Sequence, residues 1–353
     1  MFSNPFSLVL GCESDVFFGR DRILRLFDLA MIDSGSDMRA MIITGARGMG
    51  KTSLLEQLSI RAEKKKRRII NLLPENTIKQ LIHELSGLDG VTDNLQSILL
   101  DACAKSRKGL LIIVDEIQKA PIEDVSSLCN AFQMASRKGY DIMLAVAGLP
   151  YAYGEITRHE GCTYLRRASH EEIGLFTWDE AEDALKKVFS SINGLQIDKS
   201  FLDRINESSF GHPYLMQLLG YHLILQVNNH NPDKKHTVTE DELAEAEKNA
   251  LLSYEQRALI PLFEELPENE KQYLIKMSLC MGKDRLSSTS EIAKALGKSQ
   301  SKLSRNRAYL IDHGIIASTE RGKEMFCIPY LSDFVKKDRG VTKTIDVVRQ
   351  RRV

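Results

Sequence analysis

Long apolar runs are what this chain of 353 residues most plainly lacks. No stretch reaches the ~18 residues that a membrane span needs. The opening, MFSNPFSLVLGCESD, has no basic segment ahead of a clean apolar one, so no secretory signal is expected either. The expectation is a cytoplasmic protein without membrane contact. Cysteine is sparse and scattered: Cys12, Cys103, Cys129, Cys162, Cys280 and Cys327 form no C-x-x-C pair. That spacing suggests neither a zinc site nor a disulfide framework, and the thiols are expected to be reduced. Net charge is also missing, with 48 basic residues against 48 acidic.

The neutrality is assembled from unlike parts. Residues 1–170 carry about +2, residues 171–266 carry −10, and residues 267–353 carry +8. A basic C-terminal third raises the question of nucleic acid. With 43% hydrophobic and 27% charged residues the chain is neither disordered nor collagen-like. Its length allows two or three domains at ~100 to 200 residues each.

The apolar runs Met41 to Thr44, Arg68 to Leu73, Leu110 to Val114 and Ile142 to Ala147 are separated by helix-length segments. Continuous apolar strands divided by helices predict an α/β fold with a parallel sheet covered on both faces. Beyond Leu175 helical periodicity takes over, in Asp179 to Phe189, Phe201 to Asn206, Tyr214 to Gln226 and Glu240 to Leu252. Thr239 with Glu242 makes a capping box. Pro261 and Pro267 bracket a boundary, followed by three helices and an apolar hairpin around Glu320-Arg321-Gly322-Lys323, the order of a winged helix. The expected division is a nucleotide core (1–175), a helical lid (176–264), a winged helix (265–340) and a basic tail (341–353). The run Lys64-Lys65-Lys66-Arg67-Arg68 reads as a solvated face.

Directly after the first apolar strand stands Gly45-Ala46-Arg47-Gly48-Met49-Gly50-Lys51-Thr52, which fits G-x-x-x-x-G-K-[ST] at every position. Leu54, Leu55, Leu58 and Ala62 follow at helical spacing, so backbone N–H groups and a helix N-terminus converge on an anion. Lys51, a point charge on an exposed loop, would reach the β- and γ-phosphates of ATP. The Thr52 hydroxyl would ligate Mg2+, and Ser53 completes the binding segment. The strand Leu110 to Val114 ends in Asp115-Glu116. Asp115 is placed to hold magnesium through water. Glu116 is placed to take a proton from the attacking water.

On these residues the chain resembles the AAA+/STAND P-loop ATPases of bacteria and archaea, which join a nucleotide core, a helical lid and a C-terminal winged helix. Archaeal origin-recognition initiators share that architecture. The further marks are Asn4-Pro5-Phe6, Phe18-Gly19-Arg20-Asp21, Val114-Asp115-Glu116-Ile117-Gln118, Ala147-Gly148-Leu149-Pro150 and Gly211-His212-Pro213-Tyr214-Leu215 with Gln217. The resemblance implies that Phe18, Gly19 and Arg20 lie near the adenine and ribose, and that His212 and Pro213 are lid contacts to ATP or ADP. It also implies that Arg166 or Arg167, ahead of the last core strand, serves as a finger to a neighbour's γ-phosphate, with self-association in the ATP state. The chain departs from the pattern in two places. Ala147 and Gly148 stand where many AAA+ proteins carry a polar sensor, so slow hydrolysis is expected. The lid offers G-x-P and no arginine-bearing sensor, which leans toward a nucleotide-held switch.

In the C-terminal third, Ser290 to Leu296, Gly297 and Lys298 to Ile311 read as helix, turn, helix. Lys298, Lys302, Arg305 and Tyr309 would share one face of the second helix, opposite Leu303 and Leu310. That basic stripe fits duplex DNA. Arg307 falls nearer the apolar side and is expected to pair or snorkel. The alternative is a STAND-type clasp, in which the winged helix contacts protein and not DNA.

Overall fold

The computed structural model describes residues 1–6, 17, 19–87, 95–230 and 235–337. Phe18 and the basic tail lie outside the described residues. The chain divides into two compact units, one of residues 5–191 and the other of residues 1–4 with 192–353.

In the first unit the order is α1 (Asp21–Ala30), β1 (Ala40–Thr44), α2 (Lys51–Lys64), β2 (Arg68–Leu72), α3 (Thr77–Ser86), α4 (Leu95–Lys105), β3 (Leu110–Val114), α5 (Ile122–Arg137), β4 (Ile142–Gly148), α6 (Pro150–Arg158), β5 (Ser169–Glu172) and α7 (Trp178–Ser191). A 3-10 helix, Glu160–Arg167, leads into β5. The strands form one parallel sheet in the order β2-β3-β4-β1-β5. Alternate residues of each apolar strand feed opposite cores. Ile42, Leu110, Ile112, Leu144 and Val146 pack with α3 to α6. Met41, Ile43, Leu111, Ile113, Met143 and Ala145 pack with α1 and α2. This double burial is why the runs of β1, β3 and β4 carry no polar alternation, whereas β2, at the sheet edge, exposes Arg68 and Asn71. The fifth strand, Ser-His-Glu-Glu, has no apolar signature, because it is an edge strand held to β1 by its backbone.

The basic run after α2 is only partly solvated. Arg67 is 6% exposed and donates to Asp141 Oδ1 at 2.8 Å and to the Met31 carbonyl at 2.8 Å. Arg39, also buried, pairs with the same carboxylate. Asp141 is thereby held below the usual carboxylate range: burial would raise it, and the two guanidinium groups outweigh burial.

The second unit holds β6 (Leu195–Gln196), α8 (Lys199–Ser209), α9 (Pro213–Asn229), β7 (His236–Thr237), α10 (Glu240–Tyr254) and α11 (Ile260–Glu265), then α12 (Glu268–Leu279), β8 (Ser287–Ser288), α13 (Thr289–Ala295), α14 (Gln300–Asp312), β9 (Ile316–Glu320), β10 (Lys323–Phe326) and α15 (Leu331–Lys337). β8, β10 and β9 form an antiparallel sheet with β10 central. The capping box of Thr239 and Glu242 is present at α10. Pro261 does not interrupt the chain's helical course. A π-turn, Glu255–Leu259, joins α10 to α11 and absorbs a residue that lacks an N–H to donate.

Candidate functional site

The phosphate loop leaves the carboxyl end of β1 and closes on the N-terminus of α2. Gly50, the N-cap, sits at φ 85°, a left-handed turn that a side chain would strain. Lys51, the first residue of α2, is 6% exposed. Its Nζ donates to the Gly45 carbonyl at 2.9 Å and the Ala46 carbonyl at 3.0 Å, so the ammonium lies curled inside the loop. Burial lowers its pKa, while the carboxylates of Glu116 and Asp115 oppose that shift. The expectation of an exposed point charge is corrected: the side chain is buried against the loop it serves.

The sequence-predicted pair Thr52 and Asp115 meet directly: Thr52 Oγ1 donates to Asp115 Oδ2 at 2.6 Å. The other carboxylate oxygen of Asp115 accepts the Glu116 N–H at 2.8 Å. Glu116 itself turns at φ 50°, in the left-handed region. Its Oε2 accepts from Gln118 Nε2 at 2.7 Å and lies 3.7 Å from the Lys119 ammonium. Gln118 has no role on sequence grounds beyond being part of a motif. Its signal is its place two residues beyond the acid pair. A hydroxyl, two carboxylates and an ammonium are thus gathered at the carboxyl ends of β1 and β3, a donor set of hard oxygen ligands plus one cation.

Of the Gly-Arg segment ahead of α1, Gly19 lies against the ring of Phe176, which a Cβ would meet at 2.5 Å. The Arg20 guanidinium stands 4.9 Å over that ring and donates to the Gly174 carbonyl. Burial lowers its pKa, against the raising effect of Glu180. Gly19, Arg20, Arg22, Glu171 and Glu172 line a cleft of about 370 Å³. Arg166 and Arg167 close the 3-10 helix before β5, and both are exposed, with Arg166 Nε on the Thr157 carbonyl at 2.7 Å.

His212 is 2% exposed, its Nδ1 accepts the Leu215 N–H at 3.3 Å to cap α9, and its ring meets Tyr254 edge-on at 5.6 Å. Pro213 follows at the first helical position, which suits its missing N–H.

The basic stripe is shorter than the periodicity implies. Lys298 precedes α14, whose N-cap is Ser299, so it lies in the turn. Lys302 and Arg305 are exposed on the helix, and Tyr309 stacks on His313 at 3.8 Å. Leu303 and Leu310 are buried, as their phase requires. Arg307 pairs with Glu324. Glu324 is fully buried and accepts the Tyr273 hydroxyl at 2.8 Å. α14, the start of α13 and the hairpin enclose an open groove of about 720 Å³ that includes Arg307, Arg321 and Lys323.

Residues 37–145 match the family model for an AAA domain, and residues 258–335 match a domain of unknown function, DUF8462. A search of curated proteins gave no match. Among solved structures the chain is similar to the ORC2 protein of Aeropyrum pernix, described as ADPNP-ADP complexes (13% identity, 97% of this chain and 99% of that one, TM-score 0.66). It is also similar to Cdc6p from Pyrobaculum aerophilum (14%, 94% and 96%, TM-score 0.55). A third likeness is to the Aeropyrum pernix ORC1 protein in complex with DNA (15%, 97% and 98%, TM-score 0.50). The fold is therefore that of the AAA+ ATPases, and the segment bearing the phosphate loop and the acid pair is the one that matches the AAA-domain model. No helix among the described residues is long and apolar enough to cross a membrane.

Proposed function

We propose that the chain is a cytoplasmic ATP-dependent switch. ATP binds with magnesium at residues 45–53, Glu116 drives slow hydrolysis, and the nucleotide state governs whether a winged helix (265–340) is available to duplex DNA. The core (1–175), helical lid (176–264) and basic tail (341–353) complete this division. The observation that carries the reading is the 2.6 Å contact of Thr52 with Asp115, with Glu116 next in the chain. A hydroxyl and a carboxylate are hard oxygen donors of the kind magnesium takes, and the bound metal would neutralise developing phosphate charge. Lys51 already donates to carbonyls lining the loop, a place a phosphate oxygen would take over. In hydrolysis Glu116 accepts a proton from water while the water oxygen attacks the γ-phosphorus. The bond to the β-phosphate oxygen breaks, and ADP and phosphate leave. The adenine end of the nucleotide falls to Phe18, Gly19 and Arg20, which take no part in the bond-breaking step.

The exposed Arg166 and Arg167 support a finger offered to a second copy, and hence ATP-promoted self-association. For DNA, support comes from the exposed Lys302 and Arg305, the +8 balance of residues 267–353, and the groove containing Arg321. The structures of ORC2 with nucleotide and ORC1 with DNA are precedents on the same fold.

A second reading, the clasp, is favoured by a specific joint. Arg285 stands 4.8 Å over the Phe210 ring, Tyr330 meets that ring edge-on at 5.5 Å, and the Tyr330 hydroxyl donates to the Ser208 carbonyl at 2.9 Å. Phe210, Arg285 and Tyr330 all have positive φ, between 53° and 61°. Bulky residues in that region store backbone strain, and strain of this kind gathers at switch points. The clasp holds the C-terminal helices on α8 and competes with DNA. Filter binding to duplex DNA with ATP or ADP over a salt series separates the readings. Salt-dependent binding favoured by ATP supports the first, and no binding at low salt in either state leaves the clasp.

A further inference from the structure

The polar residue missing from the end of β4 has a counterpart that comes from β3. Gly148 ends β4, and a Cβ built there would meet Gln118 Oε1 at 2.8 Å, Ile117 Cγ2 at 2.9 Å and Ala152 Cβ at 3.0 Å. The Gln118 side chain therefore fills the space that a side chain at position 148 would need. Its two ends are fixed by chemistry. The Leu149 N–H can only donate, and it bonds Gln118 Oε1 at 3.2 Å. The Glu116 carboxylate can only accept, and its Oε2 takes Gln118 Nε2 at 2.7 Å. One carboxamide thus ties the acid after β3 to the first residue past β4.

We propose that Gln118 is a positioning residue for hydrolysis, which holds the Glu116 carboxylate and supplies from the β3 loop the polar anchor that Ala147 and Gly148 do not. The inference rests on the reading of Glu116 as general base. Glu116 needs such an anchor, because its own backbone is turned to φ 50° and the neighbouring Lys119 ammonium is half exposed and 3.7 Å away. Engaging Oε2 leaves Oε1 to take the proton of water. The absence of a side chain at Gly148 then follows from close packing around Gln118 and does not mark a site without orientation.

The test is steady-state ATP hydrolysis by the full chain with magnesium, run against Lys51→Ala as background. If the wild type shows no turnover above that background, the hydrolysis reading fails, and the inference fails with it. With wild-type turnover measured, Gln118→Ala should lower kcat about tenfold to hundredfold, the loss expected when a catalytic group shifts by ~1 Å, with KM changed less than about twofold. Gln118→Glu keeps the shape and an acceptor for Leu149 but sets a second carboxylate beside Glu116. The charges facing Glu116 are then those of Lys51, Asp115, Lys119 and the new acid. The new carboxylate cannot donate to Glu116 Oε2, so kcat should fall as it does in Gln118→Ala, again with KM changed less than about twofold. A wild-type kcat in Gln118→Ala overturns the inference, as does a wild-type kcat in Gln118→Glu. If circular dichroism shows Gln118→Ala unfolded, the kcat of the isosteric Gln118→Glu decides.

Discussion

Thr52 and Asp115 lie 63 residues apart in the chain, yet Thr52 Oγ1 donates to Asp115 Oδ2 at 2.6 Å. The contact exists because β3 is separated from β1 by β4 in a parallel sheet, so both strands end on the same edge. The opening of α2 and the acid pair after β3 then face one another across that edge. Ligands in open α/β sheets bind outside these strand ends.

Replacing Glu116 by Gln should leave ATP binding in place and slow turnover, since the amide cannot take a proton from water. The expected loss is ~10²- to 10⁴-fold. Single-turnover measurement with radiolabelled ATP checks it. An unchanged rate would place the base elsewhere.

Arg166→Ala with Arg167→Ala should abolish ATP-promoted self-association without unfolding the chain, because both side chains are exposed. Light scattering with a slowly hydrolysed ATP analogue should show a mass increase in the wild type alone. A monomer under every nucleotide condition refutes the inter-subunit finger.

Lys302→Ala should weaken duplex binding evenly across sequences and reduce the slope of log affinity against log salt by ~1, the effect of one lost phosphate contact. Phe210→Ala, which removes the ring between Arg285 and Tyr330, should raise DNA affinity if the joint competes with DNA. Fluorescence anisotropy over a salt series reads both. A slope unaffected by Lys302→Ala removes the helix from the interface.

Glu242 couples stability to acid. Burial alone would raise its pKa, but hydrogen bonds from His236, His230 and Thr239 bring it from 4.5 down to about 2. A carboxylate depressed on folding contributes stability that is fully present above about pH 4.5 and is lost as pH falls toward 2. Melting temperature should drop over that window, and the drop should be shallower in Glu242→Gln. Equal pH dependence in the two proteins would show that Glu242 does not carry the effect.

The strands β1, β3 and β4 are legible in the sequence because each is buried on both faces, which writes a continuous run into the chain. The meeting of the glycine-rich loop and the acid pair is legible because each follows directly on a buried apolar strand of one parallel sheet. β5 is not, since an edge strand of Ser169, His170, Glu171 and Glu172 needs only its backbone to pair. Arg67 reads as a surface charge, because its partner Asp141 is distant in sequence. Periodicity alone carries Lys298 onto a helix, since it runs past the cap at Ser299. That the His212 ring closes the first turn of α9 is not legible from periodicity, because histidine is not among the residue types that mark an N-cap.

Isothermal titration of ATP with magnesium into the wild type and into Lys51→Ala tests whether this loop is the nucleotide site. The ammonium of Lys51 is the buried cation of the loop, held by Gly45 and Ala46 carbonyls and facing Asp115 and Glu116. The wild type should bind saturably and the variant not at all, with both proteins giving the same circular dichroism spectrum. Equal ATP affinity in the two folded proteins would contradict that assignment.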